Sequence, residues 1–442
     1  MISEELSIKV GIIDRCREVY GIFNLLFEVD GARQLQGKFS ARMEHGQIVL
    51  TDSRGSDVIK AKEIECCSAA GGTFGLPSVA VGKEFHWERK EEQIFQGNLR
   101  LIARDDGTFA VVNEISVEHY LASVISSEMS GEAPVELLRA HAITSRSWLV
   151  AMLERKKRNR VDLASRAMQS EGELIRWYDR EDHDIFDVCA DDHCQRYQGI
   201  TRLVSEGAQK AVEATRGIFL VSGEEICDAR FSKACGGLTE EFENTWEDRH
   251  MPYLESISDS SMQHPKILSE PAAEDWILSN PDAYCNTSDA AVLRQILPPF
   301  DQETTNFFRW AVDYQREELE EIIRSKSGID FGTLLNLEPL QRGPSGRIVR
   351  LRIEGSKKSM VVGKELEIRR WLSKTHLYSS AFVVMTEREG DGTPNHFLFY
   401  GAGWGHGVGL CQIGAAMMAT KQFNAEEILR HYFTNAELKK LY

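Results

Sequence analysis

Alternation between apolar and polar residues dominates the first part of the chain. From about residue 6 to residue 112, short alternating runs, such as those at 8–12, 22–29 and 94–101, are separated by turns rich in Gly, Asp and Lys. Successive side chains of a β-strand point to opposite faces of a sheet, so this pattern predicts strands. We therefore expect a strand-rich N-terminal module over residues 1–110.

Two helices are predicted to follow this module. The first begins near Ser116 and ends before Ser130, because apolar residues recur at helical spacing between them. The second has Pro134 near its first turn, carries a similar apolar stripe, and continues to a basic run at 155–160, which we interpret as a solvated helix end. The two helices would form a helix-turn-helix segment around Glu128.

The rest of the chain shows both strand-like and helical patterns. Short alternating runs occupy 204–245, helical periodicity occupies 272–326, and alternation returns after Gly343 until a final helix at about 425–432. These patterns predict a mixed α+β fold. The expected segments are 1–110, 111–245, a mostly helical insertion at 246–340, and 341–442, which contains a glycine-rich motif.

Composition and charge exclude several classes of protein. The chain has 442 residues, 42% hydrophobic and 27% charged, which is typical of a globular protein with about two to four domains. Its 52 Lys and Arg against 68 Asp and Glu give a net charge of −16, so we expect no nucleic-acid partner. No apolar stretch approaches the ~18 residues of a membrane span, and no transmembrane segment is expected.

Glu128 lies where the first helix is expected to end. The partial negative charge at the C-terminal end of a helix disfavours an ionised carboxylate, especially where water is also excluded. A carboxyl group kept neutral in this way can act as a general acid. The alternative is an ordinary solvated glutamate in the turn.

Four potential metal ligands lie between residues 183 and 194. His183, Cys189, His193 and Cys194 provide two imidazoles and two thiols, the borderline-to-soft donors that zinc prefers. Aspartates also crowd this stretch, but the register of a calcium loop breaks at Phe186. The alternative is buried cysteines without a metal, beside surface histidines.

Glycine occupies every second position from Gly401 to Gly409. In an extended chain these glycines would share one face, which a ligand or another backbone could approach closely. Trp404 and His406 on the opposite face would offer a stacking surface and a polar group. The glycine register does not fit a dinucleotide-binding loop, and close backbone packing without a ligand is the alternative.

The nine cysteines lack the dense spacing of a disulfide scaffold, and we expect free thiols. Cys411 lies near His406 and therefore raises the possibility of a cysteine nucleophile. No third, orienting group can be assigned from the sequence, so this interpretation is not favoured.

Several sequence blocks, taken together, resemble the stage II sporulation protein D and amidase-enhancer family. The resemblance extends from about residue 110 to the C-terminus and is interrupted by the insertion at 246–340. The blocks that carry it, in order, are Asn113–Leu121, Ser127–Met129, Leu138–Trp148, Asp228–Ser232, Gly236–Thr239, Tyr253–Leu254, Ser345–Arg347 and Gly403–Ala415.

This resemblance implies a specific chemistry. Characterised members of the family are lytic transglycosylases, which cleave the bond between N-acetylmuramic acid and N-acetylglucosamine in peptidoglycan glycan strands stripped of peptides. The family's catalytic glutamate maps onto Glu128 of this chain. Its zinc ligands map onto His183, Cys189 and Cys194, with His193 or water as the fourth ligand. The residues expected to line a long substrate groove are Arg146, Ser232, Thr239, Trp404, His406 and Gln412.

The resemblance also implies partners and a compartment. Peptidoglycan strands are the expected partner, and a non-catalytic glycan-binding protein that enhances a cell-wall amidase is the alternative function. The cell envelope or periplasm is therefore expected, although Met1–Glu5 lacks the features of a secretory signal peptide. A complete chain without such a signal would be cytoplasmic. The family usually has serine where Cys411 stands, which weakens the cysteine-nucleophile interpretation further.

Overall fold

The computed structural model describes residues 3–68, 71–82, 88–158, 167–178, 183–191, 193–203, 206–302 and 304–442. These residues form two compact units. Unit 1 comprises Met1–Glu132, Arg180–Ile218 and Lys440–Tyr442, whereas unit 2 comprises Ala133–Asp179 and Phe219–Lys439. The division of the chain into the four segments expected from the sequence remains a prediction.

Unit 1 is built on an eleven-stranded sheet, which confirms the strand-rich N-terminal region. The main path of the sheet runs β13-β1-β10-β9-β6-β2-β3-β4-β5, and β7 pairs with β2 and β8. The bounds are β1 Ser7–Cys16, β2 Glu18–Val29, β3 Arg33–Glu44, β4 Gln47–Thr51, β5 Asp57–Ala61, β6 Glu63–Ser68, β7 Thr73–Val81, β8 Arg89–Gln96, β9 Asn98–Ala103, β10 Phe109–Ser116 and β13 Val188–Cys189.

Aromatic side chains form part of the core of unit 1. The ring of Phe23 stacks on Phe27 and on Phe39, with centroids 4.3 Å apart in both pairs. Phe74 stacks on Phe95 at 5.3 Å. Each of these residues occupies an inward-facing position of its strand. The alternation of apolar and polar residues in the sequence therefore places them on one face of the sheet.

Among the described residues of unit 1, two segments are α-helical, α1 at Val117–Glu128 and α3 at Gly207–Ala214. Ser116 caps α1 by accepting the N–H of His119, which is the role that Ser commonly plays at a helix start. Every residue of α1 except His119 is buried. The helix therefore forms a fixed part of the core rather than a surface element.

Unit 2 contains the remaining helices and strands, apart from one terminal residue each of β14 and β24. The helices are α2 Val135–Arg158, α4 Phe242–Thr245, α5 Glu270–Leu278, α6 Ala290–Ile296, α7 Arg316–Ser327, α8 Glu365–Trp371, α9 Gln412–Thr420 and α10 Ala425–Tyr432, with a short 3-10 helix at Pro299–Asp301. The strands are β11 Ala167–Ser170, β12 Glu173–Arg176, β14 Ile218–Ser222, β15 Glu225–Ile226, β16 Phe231–Ser232, β17 Arg309–Gln315, β18 Leu334–Arg342, β19 Ile348–Gly355, β20 Ser359–Gly363, β21 Phe382–Arg388, β22 Pro394–Ala402, β23 Leu410–Cys411 and β24 Glu437–Lys440.

Two of the sheets in unit 2 share a hydrophobic core. The five-stranded sheet has the order β11-β12-β20-β19-β18, and the three-stranded sheet has the order β17-β22-β21. Leu319 of α7, Trp371 of α8 and Phe397 of β22 lie in one buried cluster with residues of these sheets. A separate pair of short parallel strands, β16 and β23, joins residues 231–232 to residues 410–411.

The mixed α+β class is confirmed, as are α1, α2 and α10. Three local predictions are wrong. Residues 207–214 are helical rather than extended, β17 interrupts the helical region predicted at 272–326, and α8 lies where only strands were expected. The last two residues of the basic run at 155–160 lie outside the described residues.

Length and apolar composition together decide whether a helix can cross a bilayer. Within the described parts of the chain, no helix meets both requirements.

Candidate functional site

Glu128 is the last residue of α1, and only 8% of its surface is exposed. Its Oε1 atom accepts a hydrogen bond from the backbone N–H of Arg196, with a nitrogen-to-oxygen distance of 3.0 Å. The carboxyl group is therefore held on a buried helix and oriented by a backbone donor. Preorganisation of this kind is what a catalytic acid requires.

The segment that supplies this donor is itself fixed within unit 1. The hydroxyl of Tyr197 donates to Oδ1 of Asn113 at 2.5 Å, and its ring stacks on Tyr120 of α1 at 5.1 Å. The backbone N–H of Gln198 donates to Oγ of Ser123 at 3.2 Å. These contacts attach the segment to β10 and α1, so the direction of the Arg196 N–H is determined by the fold.

The four ligands predicted at 183–194 converge just before this segment. One donor atom from each of His183, Cys189, His193 and Cys194 lies within 4.8 Å of the other three. The Sγ atom of Cys194 is 3.4 Å from Nε2 of His183 and 3.4 Å from Nδ1 of His193. The Sγ atom of Cys189 is 3.8 Å from the same Nδ1.

These separations fit a single tetrahedral metal ion. Zn–S bonds of about 2.3 Å and Zn–N bonds of about 2.0 Å place neighbouring ligands roughly 3.3 to 3.8 Å apart around one ion. The Cys194 thiol, followed by the imidazoles of His183 and His193, holds the pKa of Cys189 well below its ordinary value. The donor set favours the thiolate form that a metal binds.

Strand pairing anchors this cluster in the sheet of unit 1. β13 pairs in parallel with β1, so that Cys189 lies opposite Gly11. Phe186 packs against Gly11, where a β-carbon would overlap its ring, and the same ring contacts His183 with centroids 4.5 Å apart. Strand pairing therefore positions Cys189, one of the four candidate ligands, from a core strand.

The six residues predicted to line a substrate groove all lie in unit 2, and they differ in exposure. Arg146, Ser232, Thr239 and Gln412 are buried, whereas Trp404 and His406 are half-buried. Oγ1 of Thr239 accepts the N–H of Ile257 at 2.9 Å. The Oγ atom of Ser232 is buried and has no hydrogen-bond partner among the described residues.

Gln412 belongs to a buried polar pair. Its amide nitrogen lies 3.0 Å from Nε2 of His141 on α2, whose ring also contacts Phe231 edge-on at 4.8 Å. Burial, followed by the charge of Lys233, lowers the pKa of His141 to about 3. The imidazole is therefore neutral near pH 7, and its Nε2 can accept the amide proton.

Trp404 and His406 lie in aromatic surroundings. The ring of Trp404 stacks on Tyr378 with centroids 4.0 Å apart and also contacts Phe307 at 4.9 Å. His406 meets Trp246 edge-on at 4.9 Å, and its Nδ1 accepts the N–H of Val408 at 3.0 Å. Shielding of the ring from solvent, followed by nearby arginine charges, lowers the pKa of His406 well below its usual value.

The extended conformation predicted for the glycine-rich motif is wrong. Gly403, Gly405, Gly407 and Gly409 all have positive φ, between 73° and 92°. The motif therefore does not place its glycines on one face of a strand. At Gly407 a β-carbon would overlap the guanidinium of Arg347, so the absence of a side chain lets this buried arginine pack against the backbone.

Sequence reasoning missed two sets of residues. Arg196 contributes through its backbone, which leaves no signal in the side-chain pattern. Separately, one donor atom each from Cys235, Asp259, Cys285 and Cys411 lies within 4.8 Å of the other three in unit 2. These four positions are widely spaced in the sequence, and no motif spacing links them.

Two family models match separate parts of this chain. The sequence model described as Stage II sporulation protein matches residues 105–221, which include Glu128 and the ligand cluster at 183–194. A second model, described as a domain of unknown function (DUF8618), matches residues 240–409.

Two curated relatives match most of the chain. An uncharacterized protein of Brachyspira hyodysenteriae is 24% identical over 351 residues, covering 78% of this chain and 72% of that protein. Stage II sporulation protein D of Bacillus amyloliquefaciens is 23% identical over 331 residues, covering 74% and 76% respectively.

The fold and these matches define a mixed α+β protein with a stage II sporulation protein domain. As the sequence motifs predict, the chain is similar to the stage II sporulation protein family over residues 105–221 and to a stage II sporulation protein D over 331 residues. This similarity suggests a role related to the cell wall.

Proposed function

We propose that the protein is a peptidoglycan lytic transglycosylase in which Glu128 is the general acid and base. The observation that carries this proposal is the hydrogen bond from the Arg196 backbone to a largely buried Glu128 carboxyl group. A carboxyl fixed in this way is ready to exchange a proton with a substrate oxygen. The match to the stage II sporulation family over residues 105–221 supports the same role.

The proposed reaction needs one carboxyl group and no water. Glu128 protonates the glycosidic oxygen between N-acetylmuramic acid and N-acetylglucosamine, and the bond from that oxygen to C1 of the muramic residue breaks. The resulting carboxylate then accepts the proton of the muramic C6 hydroxyl as its oxygen bonds to C1. Ordinary glycosidases use two carboxylates, whereas an intramolecular nucleophile lets one glutamate serve twice.

The atoms of this reaction balance without a further reactant. The proton that leaves Glu128 becomes the new hydroxyl proton of the N-acetylglucosamine end, and the proton from C6 restores the neutral acid. The products are a free N-acetylglucosamine end and an anhydro-muramic end.

We assign zinc to the cluster of His183, Cys189, His193 and Cys194, because its donors and separations suit that ion. Bound zinc would supply a cross-link within the chain. It would fix the start of the segment that continues to Arg196, so that the backbone donor keeps its direction towards Glu128. The role of these four residues is therefore to position the acid.

Within unit 2 we assign glycan contact to Trp404 and His406, the two half-buried members of the predicted groove set. Aromatic rings commonly pack against the apolar faces of sugars, and a neutral imidazole can exchange hydrogen bonds with sugar hydroxyls. The four buried members would act by supporting these contacts. Gln412, for example, is held by His141.

Incubation with purified glycan strands stripped of peptides tests this function. We expect shorter strands with anhydro-muramic ends, identified by mass spectrometry. Strands that bind the protein and stay intact would contradict the enzymatic proposal and favour a glycan-binding role. Ordinary reducing muramic ends would instead identify a hydrolase.

A further inference from the structure

Three thiols and one carboxyl group meet at a single point inside unit 2. Donor atoms of Cys235, Asp259, Cys285 and Cys411 all lie within 4.8 Å of one another. Cys235 is 2% exposed and the other three are fully buried. They come from four separate places, namely the loop after β16, the loops before and after α5, and β23. Local sequence alone does not bring such donors together.

The spacing of the sulfur atoms fits one tetrahedral metal ion. Zn–S bonds of about 2.3 Å place two thiolates about 3.8 Å apart. The Sγ atoms of Cys235 and Cys285 are 3.7 Å apart. This separation greatly exceeds the bond of about 2.05 Å in a disulfide. Four protein ligands leave no open position, which is the arrangement of structural rather than catalytic zinc sites.

Backbone donors point at two of the sulfur atoms. Sγ of Cys411 accepts N–H groups from Cys235 at 3.3 Å and from Gly414 at 3.4 Å. Sγ of Cys235 accepts the N–H of Gly237 at 3.4 Å. A neutral thiol is a weak acceptor, whereas a thiolate at the N-terminal end of a helix is stabilised by such donors. Cys411 caps α9 in this way.

The carboxyl group of Asp259 is oriented as metal-binding carboxylates are. Its Oδ1 accepts the hydroxyl proton of Tyr432 at 2.5 Å, and its Oδ2 accepts the N–H of Cys285 at 2.8 Å. Hydrogen bonds from outer residues commonly fix the direction of metal-ligating carboxylates. Gly414 makes this packing possible, because a β-carbon there would overlap both Asp259 and Tyr432.

Two cations lie beside the cluster, the half-buried Arg309 and the buried Arg347. Arg309 donates from Nη1 to the carbonyl of Gly236 at 3.0 Å, and Arg347 donates from Nη1 to the carbonyl of Cys235 at 3.1 Å. Three thiolates and a carboxylate around a divalent ion leave an excess of negative charge. Guanidinium groups close to the ligands offset that excess in an interior where unpaired charge is costly.

We propose that Cys235, Asp259, Cys285 and Cys411 bind a second, structural zinc ion, distinct from the ion assigned to the cluster at 183–194. The ion would tie the loops at 259 and 285 to the start of α9, which directly follows the glycine-rich motif. This role adds to the proposed glycan chemistry and does not depend on it.

Metal analysis of the full-length purified protein tests the second site. We expect about two zinc ions per chain in the wild type and about one in Cys411→Ser. Serine retains the N-cap acceptor of α9 but is a poor zinc ligand, so this variant removes the ligand while keeping the cap. Cys227→Ser is the matched control, because Cys227 is also fully buried in unit 2 but lies outside the cluster. It should keep about two ions.

A second measurement covers the case in which Cys411→Ser does not fold. Cys194→Ser removes a ligand of the other site, so the metal it retains should be bound by three thiolates. Replacing that metal with cobalt should then give strong thiolate-to-cobalt charge-transfer absorption. Absence of this band would overturn the proposal. So would a zinc content of about one ion per chain in the wild type and none in Cys194→Ser. Peptide mapping that shows a disulfide between Cys235 and Cys285 would overturn it as well.

Discussion

The backbone N–H of Arg196 lies 3.0 Å from Oε1 of Glu128 and donates a hydrogen bond to it. Cys194, which belongs to the ligand cluster at 183–194, precedes Arg196 by only two positions. In the proposed mechanism, the position of the catalytic carboxyl group therefore depends on a segment that begins at a proposed metal ligand. This relationship makes the proposed zinc ion a positioning element for the reaction.

Glu128→Gln should abolish cleavage and preserve the fold. The amide oxygen can still accept the Arg196 N–H, but the side chain cannot donate a catalytic proton, so we expect a loss of about 10²- to 10⁴-fold or more. Glu118→Gln is the matched control. Glu118 lies on the same helix with 7% exposure, and it accepts hydrogen bonds from Gly217 and Tyr442. Equal activity of the two variants in a strand-cleavage assay would refute the assignment.

Cys194→Ser should release the metal of the first site, lower the unfolding temperature and reduce cleavage by about 10-fold or more. Activity falls because the Arg196 donor is no longer held towards Glu128. Cys16→Ser is a suitable control, since Cys16 is a half-buried thiol of unit 1 that contacts the carbonyl of Phe109 at 3.4 Å. Full activity of a zinc-free Cys194→Ser protein would show that the metal does not position the acid.

Gly407→Ala should destabilise the protein by about 3 kcal/mol or more, because its β-carbon would displace the buried guanidinium of Arg347. Gly223→Ala provides a control with positive φ, 63° against 78° at Gly407, but with open space around the added carbon. It should cost only about 1 kcal/mol from backbone strain. Urea denaturation of both variants measures the difference, and equal costs would mean that backbone strain alone explains the glycine.

Stability should fall as the pH is lowered from about 6.5 towards 3, in part because of His141. Burial, followed by Lys233, lowers the pKa of this imidazole from 6.5 to about 3. Between these values the unfolded chain binds a proton that the folded chain excludes, so acid favours unfolding. His141→Gln should weaken this dependence by about 1.4 kcal/mol per pH unit.

Denaturant unfolding of the wild type and of His141→Gln, near pH 7 and near pH 5, checks this prediction. On unfolding in this pH range, the wild type should bind about one proton more than the variant. Replacing the exposed His119 by Gln should leave the wild-type pH dependence in place. If His141→Gln has the same pH dependence as the wild type, the folded protein must bind a proton at His141 as readily as the unfolded chain does.

Much of the fold could be predicted because its signals are local. Alternation of apolar and polar residues revealed the strands of the N-terminal region, and apolar residues at helical spacing revealed α1. The candidate ligands at 183–194 could be recognised for the same reason, since all four lie within one short segment. Helix α3 was missed because its buried stripe consists of Ala208, Ala211 and Val212, and alanine contributes little to an apolar pattern.

The remaining features depend on contacts between distant segments. Glycine at alternate positions is compatible both with an extended strand and with the positive φ values that the structure shows at Gly403 and Gly405. Likewise, nothing in the spacing of Cys235, Asp259 and Cys285 indicates that their donors meet. Both features depend on tertiary packing, which cannot be inferred from the residue pattern within a short stretch of sequence.

The most direct test of the central claim is to cleave peptide-free glycan strands in water enriched in heavy oxygen and to weigh the products. An intramolecular attack by the muramic C6 hydroxyl takes no oxygen from water. We therefore predict that wild-type protein produces unlabelled anhydro-muramic ends and that Glu128→Gln produces none. Heavy oxygen at the new muramic ends would show hydrolysis and contradict the account.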